Sequence, residues 1–244
     1  MDYYIFIYIV LGVIPSMTWL FYYLTKDIHP EPKKMIVKIF LWGALITVPV
    51  FFVQIGLTNL LDMFAMNSIV KNIVYWFLVI AFSEEFFKYL VVRAKVFNSP
   101  HLDEPLDIML YMVISALGFA AIENILYLFS PIGQMSLGQV IDRTLLVDLI
   151  RFIGAVFLHT LCSAIVGYSL AISFYKAKNK KLIFGIGILV ATVLHGFYDF
   201  SIMTLTGQSN INIVIPLIII LILSFLVFSG FEKLKKMKSI CKIN

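Results

Sequence analysis

Four apolar runs of this chain hold residues that hydrocarbon excludes unless they do something. Glu84, Glu85 and Lys88 fall in one run, Glu123 and Asn124 in the next, Asp148, Arg151 and His159 in a third, and His195 and Asp199 in a fourth. An ionisable side chain near the bilayer centre costs about 3 kcal/mol or more, so such residues face a partner or a wet cavity. On a helix, Lys88 stands four residues from Glu84 and three from Glu85, within reach of either carboxylate. One lysine cannot neutralise two adjacent glutamates, which leaves one of them free to take up a proton, as a general base must. His195 and Asp199 are again four apart, so the carboxylate can orient the imidazole. Of the four histidines, His159 and His195 lie in apolar runs, whereas His29 and His101 lie in polar connections. The blander alternative makes each group a helix-locking pair, which suffices for Asp148 with Arg151. It does not account for two histidines accompanied by five carboxylates. Ser83, Ser163 and Cys162 are candidate nucleophiles in principle, but a nucleophilic serine or cysteine leaves the glutamates unexplained. The set suits water activated by carboxylate and imidazole.

The elements that carry these residues are membrane helices. The 244 residues are 61% hydrophobic and 14% charged, with a mean hydropathy of +0.97; a soluble domain has nearer a quarter of its residues charged. About 20 apolar residues cross the hydrocarbon core. Seven stretches qualify, at 3–25, 36–61, 69–92, 106–129, 146–175, 182–205 and 211–230. Pro15 and Pro49 fall inside spans, where neighbouring helices can satisfy the freed carbonyl. The expectation is an all-α polytopic bundle in one domain, 1–244, with the polar constellation in spans three to six, 69–205. Fifteen of the nineteen Lys and Arg sit in the first, third and fifth loops and the C-terminal tail, while the other connections hold only Lys71 and Arg143. That alternation puts the basic loops in the cytoplasm, the N-terminus outside and the C-terminus inside. The same clustering assigns the net charge of +5 to bilayer orientation rather than to a nucleic-acid partner. The first run has no basic residues before it and is expected to be a retained helix rather than a cleaved leader. Cys162 and Cys241 suggest neither a disulfide framework nor a zinc knuckle. The loop 130–145 is expected to be a plain connection or a cover for the site.

Four short patterns in order resemble those of one protein family. Glu84-Glu85-Phe-Phe-Lys88 resembles the EExxK motif of the PrsW family of intramembrane proteases, and Phe119 to Glu123-Asn124 its FxxxEN motif. Arg151 with His159 on one helix, then His195-Gly-Phe-Tyr-Asp199, is similar to its later elements. The resemblance covers the third to sixth spans. The wider group of CAAX prenyl endopeptidases and Abi proteins has EExxxR, FxxxH and HxxxN at these places, so the departures point to PrsW and away from a prenylated substrate. The resemblance implies a glutamic intramembrane protease in a bacterial cytoplasmic membrane. It also implies site-1 cleavage of a single-span anti-sigma factor, in a cascade that releases a sigma factor under envelope stress.

The expected mechanism has Glu84, or in second place Glu85, deprotonate a water that attacks the scissile carbonyl. His159 and His195 hold that water or donate to the oxyanion, with Asn124 as a further donor. Lys88 keeps one glutamate ionised, Glu123 completes the polar wall, Asp199 orients His195, and Arg151 binds substrate backbone or Asp148. No cofactor is expected. The alternative is a zinc enzyme holding its ion with His159, His195, Asp199 and Glu123. A non-proteolytic proton-coupled transporter is the competing class, disfavoured by the lack of inverted repeats. At about 1.5 Å per residue, the constellation runs from the outer leaflet to just past the midplane, with Glu84 deepest. Substrate is therefore expected to reach a water-filled cavity from the extracytoplasmic side.

Overall fold

A computed structural model describes residues 2–27, 29–129, 145, 149–176, 179–204 and 211–237, and every element among the described residues is helical. Seven rods result: α1 (Asp2–Leu24), α2 (Lys33–Asp62), α3 (Ser68–Val74 running through Tyr75–Phe82 into Ser83–Lys95), α4 (Pro105–Leu128), α5 (Phe152–Val156 into Phe157–Lys176), α6 (Lys180–Thr204) and α7 (Ile211–Lys235). They match the seven apolar runs. α2, α4, α5, α6 and α7 are long and apolar enough to cross a membrane, and α1 contributes the shorter apolar helix Tyr8–Leu24. α3 is the rod that carries Glu84, Glu85 and Lys88.

α4 is the axis of the bundle. It is apolar on all sides, the pattern of a helix surrounded by others, and every residue from 105 to 121 is buried. Its start is fixed by reciprocal capping: Glu104 is the N-cap, Pro105 opens the first turn, and the Asp107 carboxylate accepts from the Glu104 backbone N–H at 2.6 Å. α2 packs on α4 through two glycines. A Cβ on Gly43 would collide with the Ser115 carbonyl, and one on Gly118 with the Phe40 carbonyl. Only glycine allows two membrane backbones this close.

Two rods are widened where chemistry follows. Tyr75–Phe82 of α3 and Phe152–Val156 of α5 are π-helical, and such segments free backbone carbonyls and rotate the residues beyond them. Ser83 Oγ donates to the carbonyls of Val79 at 2.6 Å and Ile80 at 3.0 Å. Trp19 of α1 donates from Nε1 to the Phe152 carbonyl at 3.0 Å while stacking on Phe157, ring centroids 4.1 Å apart. Glu84 comes two residues after the first widened segment, and His159 three residues after the second.

Candidate active site

α2 through α6 enclose a cavity of about 520 Å³, in the half of the bundle away from the lysine-rich loops. Glu84, Glu123, Arg151, His159, His195 and Asp199 line it. Glu85, Lys88 and Asn124, each wholly buried, stand behind that wall.

Lys88 is the hub. Its Nζ donates to Glu85 Oε1 at 2.8 Å, Glu84 Oε2 at 3.4 Å and His159 Nδ1 at 2.9 Å, and lies 4.4 Å from the centre of the Phe119 ring. An ammonium has three protons and no lone pair, so all its donors are used and His159 Nδ1 must accept. The His159 proton is then on Nε2, which donates to Glu123 Oε2 at 2.8 Å. Glu123 also takes Arg151 Nη2 at 2.8 Å, and Arg151 Nε donates to Asn124 Oδ1. The Asn124 amide donates to the Gly12 carbonyl of α1 at 3.4 Å. The amide of Asn124, expected as an oxyanion donor, thus bridges α1 and Arg151 behind the cavity wall.

The two glutamates are separated by environment. Glu85 has no unused oxygen: Oε1 accepts from Lys88 and, at 3.1 Å, from His195 Nδ1, and Oε2 accepts from Ser163 Oγ at 2.7 Å. Ser163 is thereby a Glu85 donor, and Ser83 is spent on backbone carbonyls. Glu84 faces the cavity. Gln54 Nε2 of α2 donates to its Oε1 at 3.3 Å, and its Oε2 lies 3.7 Å from His159 Nδ1 and 3.9 Å from His195 Nε2. With Nδ1 engaged by Glu85, His195 turns Nε2 towards the cavity, 3.4 Å from Asp199 Oδ2. The imidazole's tautomer is thus held by Glu85, with Asp199 sharing the working nitrogen. The two imidazoles meet edge to face with centroids 5.0 Å apart.

The chain that builds this arrangement on four consecutive helices matches a family model. The model described as "PrsW family intramembrane metalloprotease" fits residues 31–228. The chain belongs to the PrsW family. It is 30% identical over 211 residues to Protease PrsW of Oceanobacillus iheyensis, spanning 86% of this chain and 88% of that one. It is 31% identical over 193 residues to Protease PrsW of Geobacillus kaustophilus, covering 79% and 78% of the two chains. Against Protease PrsW of Bacillus subtilis the identity is 29% over 232 residues, 94% of each chain. No solved structure matches. Membership in the PrsW family and the apolar rods make this a multi-pass bacterial membrane protein.

Whether a PrsW protein of this sequence suits a metal can be tested on its donors. Glu84, His159 and His195 offer atoms within 4.8 Å of one another. Ligands at about 2.0–2.1 Å around a tetrahedral zinc stand about 3.3 Å apart, a few tenths of an ångström closer than the 3.7 and 3.9 Å found here. The residue types fit; the three donors, which lie within 4.8 Å of one another, would have to draw together, and Lys88 would have to release His159 Nδ1. The trio takes Glu84 where the sequence suggested Asp199 and Glu123.

Gln54, together with Tyr75, Tyr127 and Tyr198 of the cavity wall, is not among the residues that charge and helical spacing single out. Gln54 had a signal of its own, being the one glutamine within any of the seven apolar runs. The expected Asp148–Arg151 pair involves a residue outside those described, as does most of the loop 130–145.

Proposed function

We propose that the chain is an intramembrane endopeptidase of glutamic type that cleaves a single-span membrane protein, with an anti-sigma factor as the expected substrate. The carrying observation is the asymmetry of the glutamate pair. Glu85 is saturated by Lys88, His195 and Ser163, whereas Glu84 lines the cavity beside both imidazoles.

In this reading Glu84 removes a proton from a cavity water and the hydroxide attacks the scissile carbonyl. His195 Nε2 holds that water against Asp199. The proton taken by Glu84 passes to the leaving amine as the C–N bond breaks. Glu85 fixes the position of Lys88, which holds His159 and Glu84 in register. Arg151, with five donors of which two are engaged among the described residues, can offer protons to a substrate backbone carbonyl. Gln54 orients Glu84 from the opposite helix. Substrate enters from the side away from the lysine-rich loops, the extracytoplasmic one on the charge rule.

A second reading has Glu84, His159 and His195 hold a zinc ion, favoured by the spacing of that trio and by the wording of the family description. A bound zinc would supply a water that ionises near neutral pH. Glu85 then fixes His195 from behind as before, and Lys88 turns wholly to Glu85.

The test is cleavage of a single-span reporter by the full chain in liposomes, wild type beside a Glu84→Gln variant. A shortened reporter with the first and an intact one with the second is expected. Equal cleavage by both overturns the assignment of Glu84.

A further inference from the structure

A second concavity lies at the opposite end of the bundle from the active-site cavity. We propose that it binds an anionic glycerophospholipid, drawn from the leaflet that faces the lysine-rich loops. The furrow, about 510 Å³, runs between α5, α6 and α7 and touches α4 at Met109. That volume is in the range of small-ligand sites. Its walls are apolar, among them Ile172, Ile186, Val190 and Leu226, and Lys233 stands in the wall where α7 leaves the bilayer.

Two glycines of the lining let α6 and α7 pack closely on α5 and so fix the walls of the furrow. A Cβ on Gly187 would collide with Ser169 Oγ, and one on Gly230 would come within 3.1 Å of the Tyr168 ring. Lys233 is exposed and its Nζ lies 5.6 Å from the centre of the Tyr168 ring. The adjacent Glu232 is taken by Lys235 at 3.1 Å and does not neutralise it. Lys180 and Lys181 start α6 and Lys236 follows α7, so further cations stand at the end of the bundle where Lys233 lines the furrow. An apolar trough with a cationic end matches an acyl chain with a phosphate head, and basic pockets between membrane helices are known to hold anionic head groups. A second copy of this chain is a poorer occupant, because it would bring its own lysine-rich end against these lysines.

The experiment is native mass spectrometry of the full chain in mild detergent, titrated with phosphatidylglycerol or phosphatidylcholine. Wild type, Lys233→Gln, Lys233→Arg and Ile186→Trp are compared. Lys233 is exposed and Ile186 is 52% exposed, so folding is not at stake in these variants. Wild type should retain phosphatidylglycerol about fivefold over phosphatidylcholine, the ratio that about 1 kcal/mol per interfacial lysine gives. Lys233→Gln should erase the preference, Lys233→Arg should keep it, and Ile186→Trp should lower retention of both lipids. Equal retention of the two lipids by wild type overturns the proposal. So does a preference that survives Lys233→Gln, or a protein dimer in place of the lipid adduct.

Discussion

Glu84 and Glu85 are neighbours of identical chemistry, yet the same substitution should break two different properties. Glu85→Gln removes the carboxylate that Lys88, His195 and Ser163 all address at 2.7–3.1 Å. The amide can still accept one or two of these bonds, but it brings two protons into a ring of donors and leaves Lys88 without its closest counter-charge. Breaking a buried pair from one side costs about 3–5 kcal/mol. At about 2–4 °C per kcal/mol for a chain of this size, the melting temperature in detergent should fall by about 10 °C. Glu84→Gln is milder. Lys88 keeps Glu85 at 2.8 Å and loses only a 3.4 Å contact, so the shift should be about 2–4 °C. Its activity should nevertheless fall by about 10²–10⁴, the contribution of a positioned general base. The assay pairs thermal unfolding of both variants with initial rates of reporter cleavage in liposomes, compared at a temperature where each remains folded. Two outcomes would refute the reasoning. One is Glu85→Gln melting no lower than Glu84→Gln. The other is Glu84→Gln cleaving at more than a tenth of the wild-type rate.

Three further outcomes are expected. Gln54→Leu should lower the cleavage rate about tenfold with little change in melting temperature, because Glu84 loses its donor from α2 while Lys88 keeps its own contacts; a rate within twofold of wild type would remove Gln54 from the site. Purified protein assayed for zinc by elemental analysis, before and after a strong chelator, should contain less than one equivalent and stay active; metal and activity lost together, and restored together by zinc, would establish the second reading. Alkaline phosphatase fused after Ile69 should be active and after Asn98 inactive, and the reverse pattern would invert the membrane orientation and the side of substrate entry.

The seven rods were readable because a membrane helix is selected by apolar length alone, and the runs at 36–61 and 106–129 lie within or beside α2 and α4 as they fold. The gathering of Glu84, Glu123, His159, His195 and Asp199 around one cavity was also foreseeable, since burying unpaired charges on four separate helices costs far more than sharing one wet cavity. Which partner each side chain takes was not. Helical spacing assigned Asp199 to orient His195, but long-range packing gave Nδ1 to Glu85, 110 residues away in sequence. Asn124 follows Glu123 directly, yet successive helix positions differ by about 100°, which turns its amide onto Gly12 of α1. The π-helical segments of α3 and α5 were invisible to a pattern of period 3.6, and they set the rotation at which Glu84 and His159 enter the cavity. The consequence for the mechanism is specific. Because Lys88 has only protons to offer, it forces the proton of His159 onto Nε2 and into Glu123, so His159 is committed at both nitrogens while His195 keeps one nitrogen for the cavity. In the proposed mechanism, then, His195 is the histidine that handles water, and His159 links the Glu84–Lys88 group to Glu123 and Arg151.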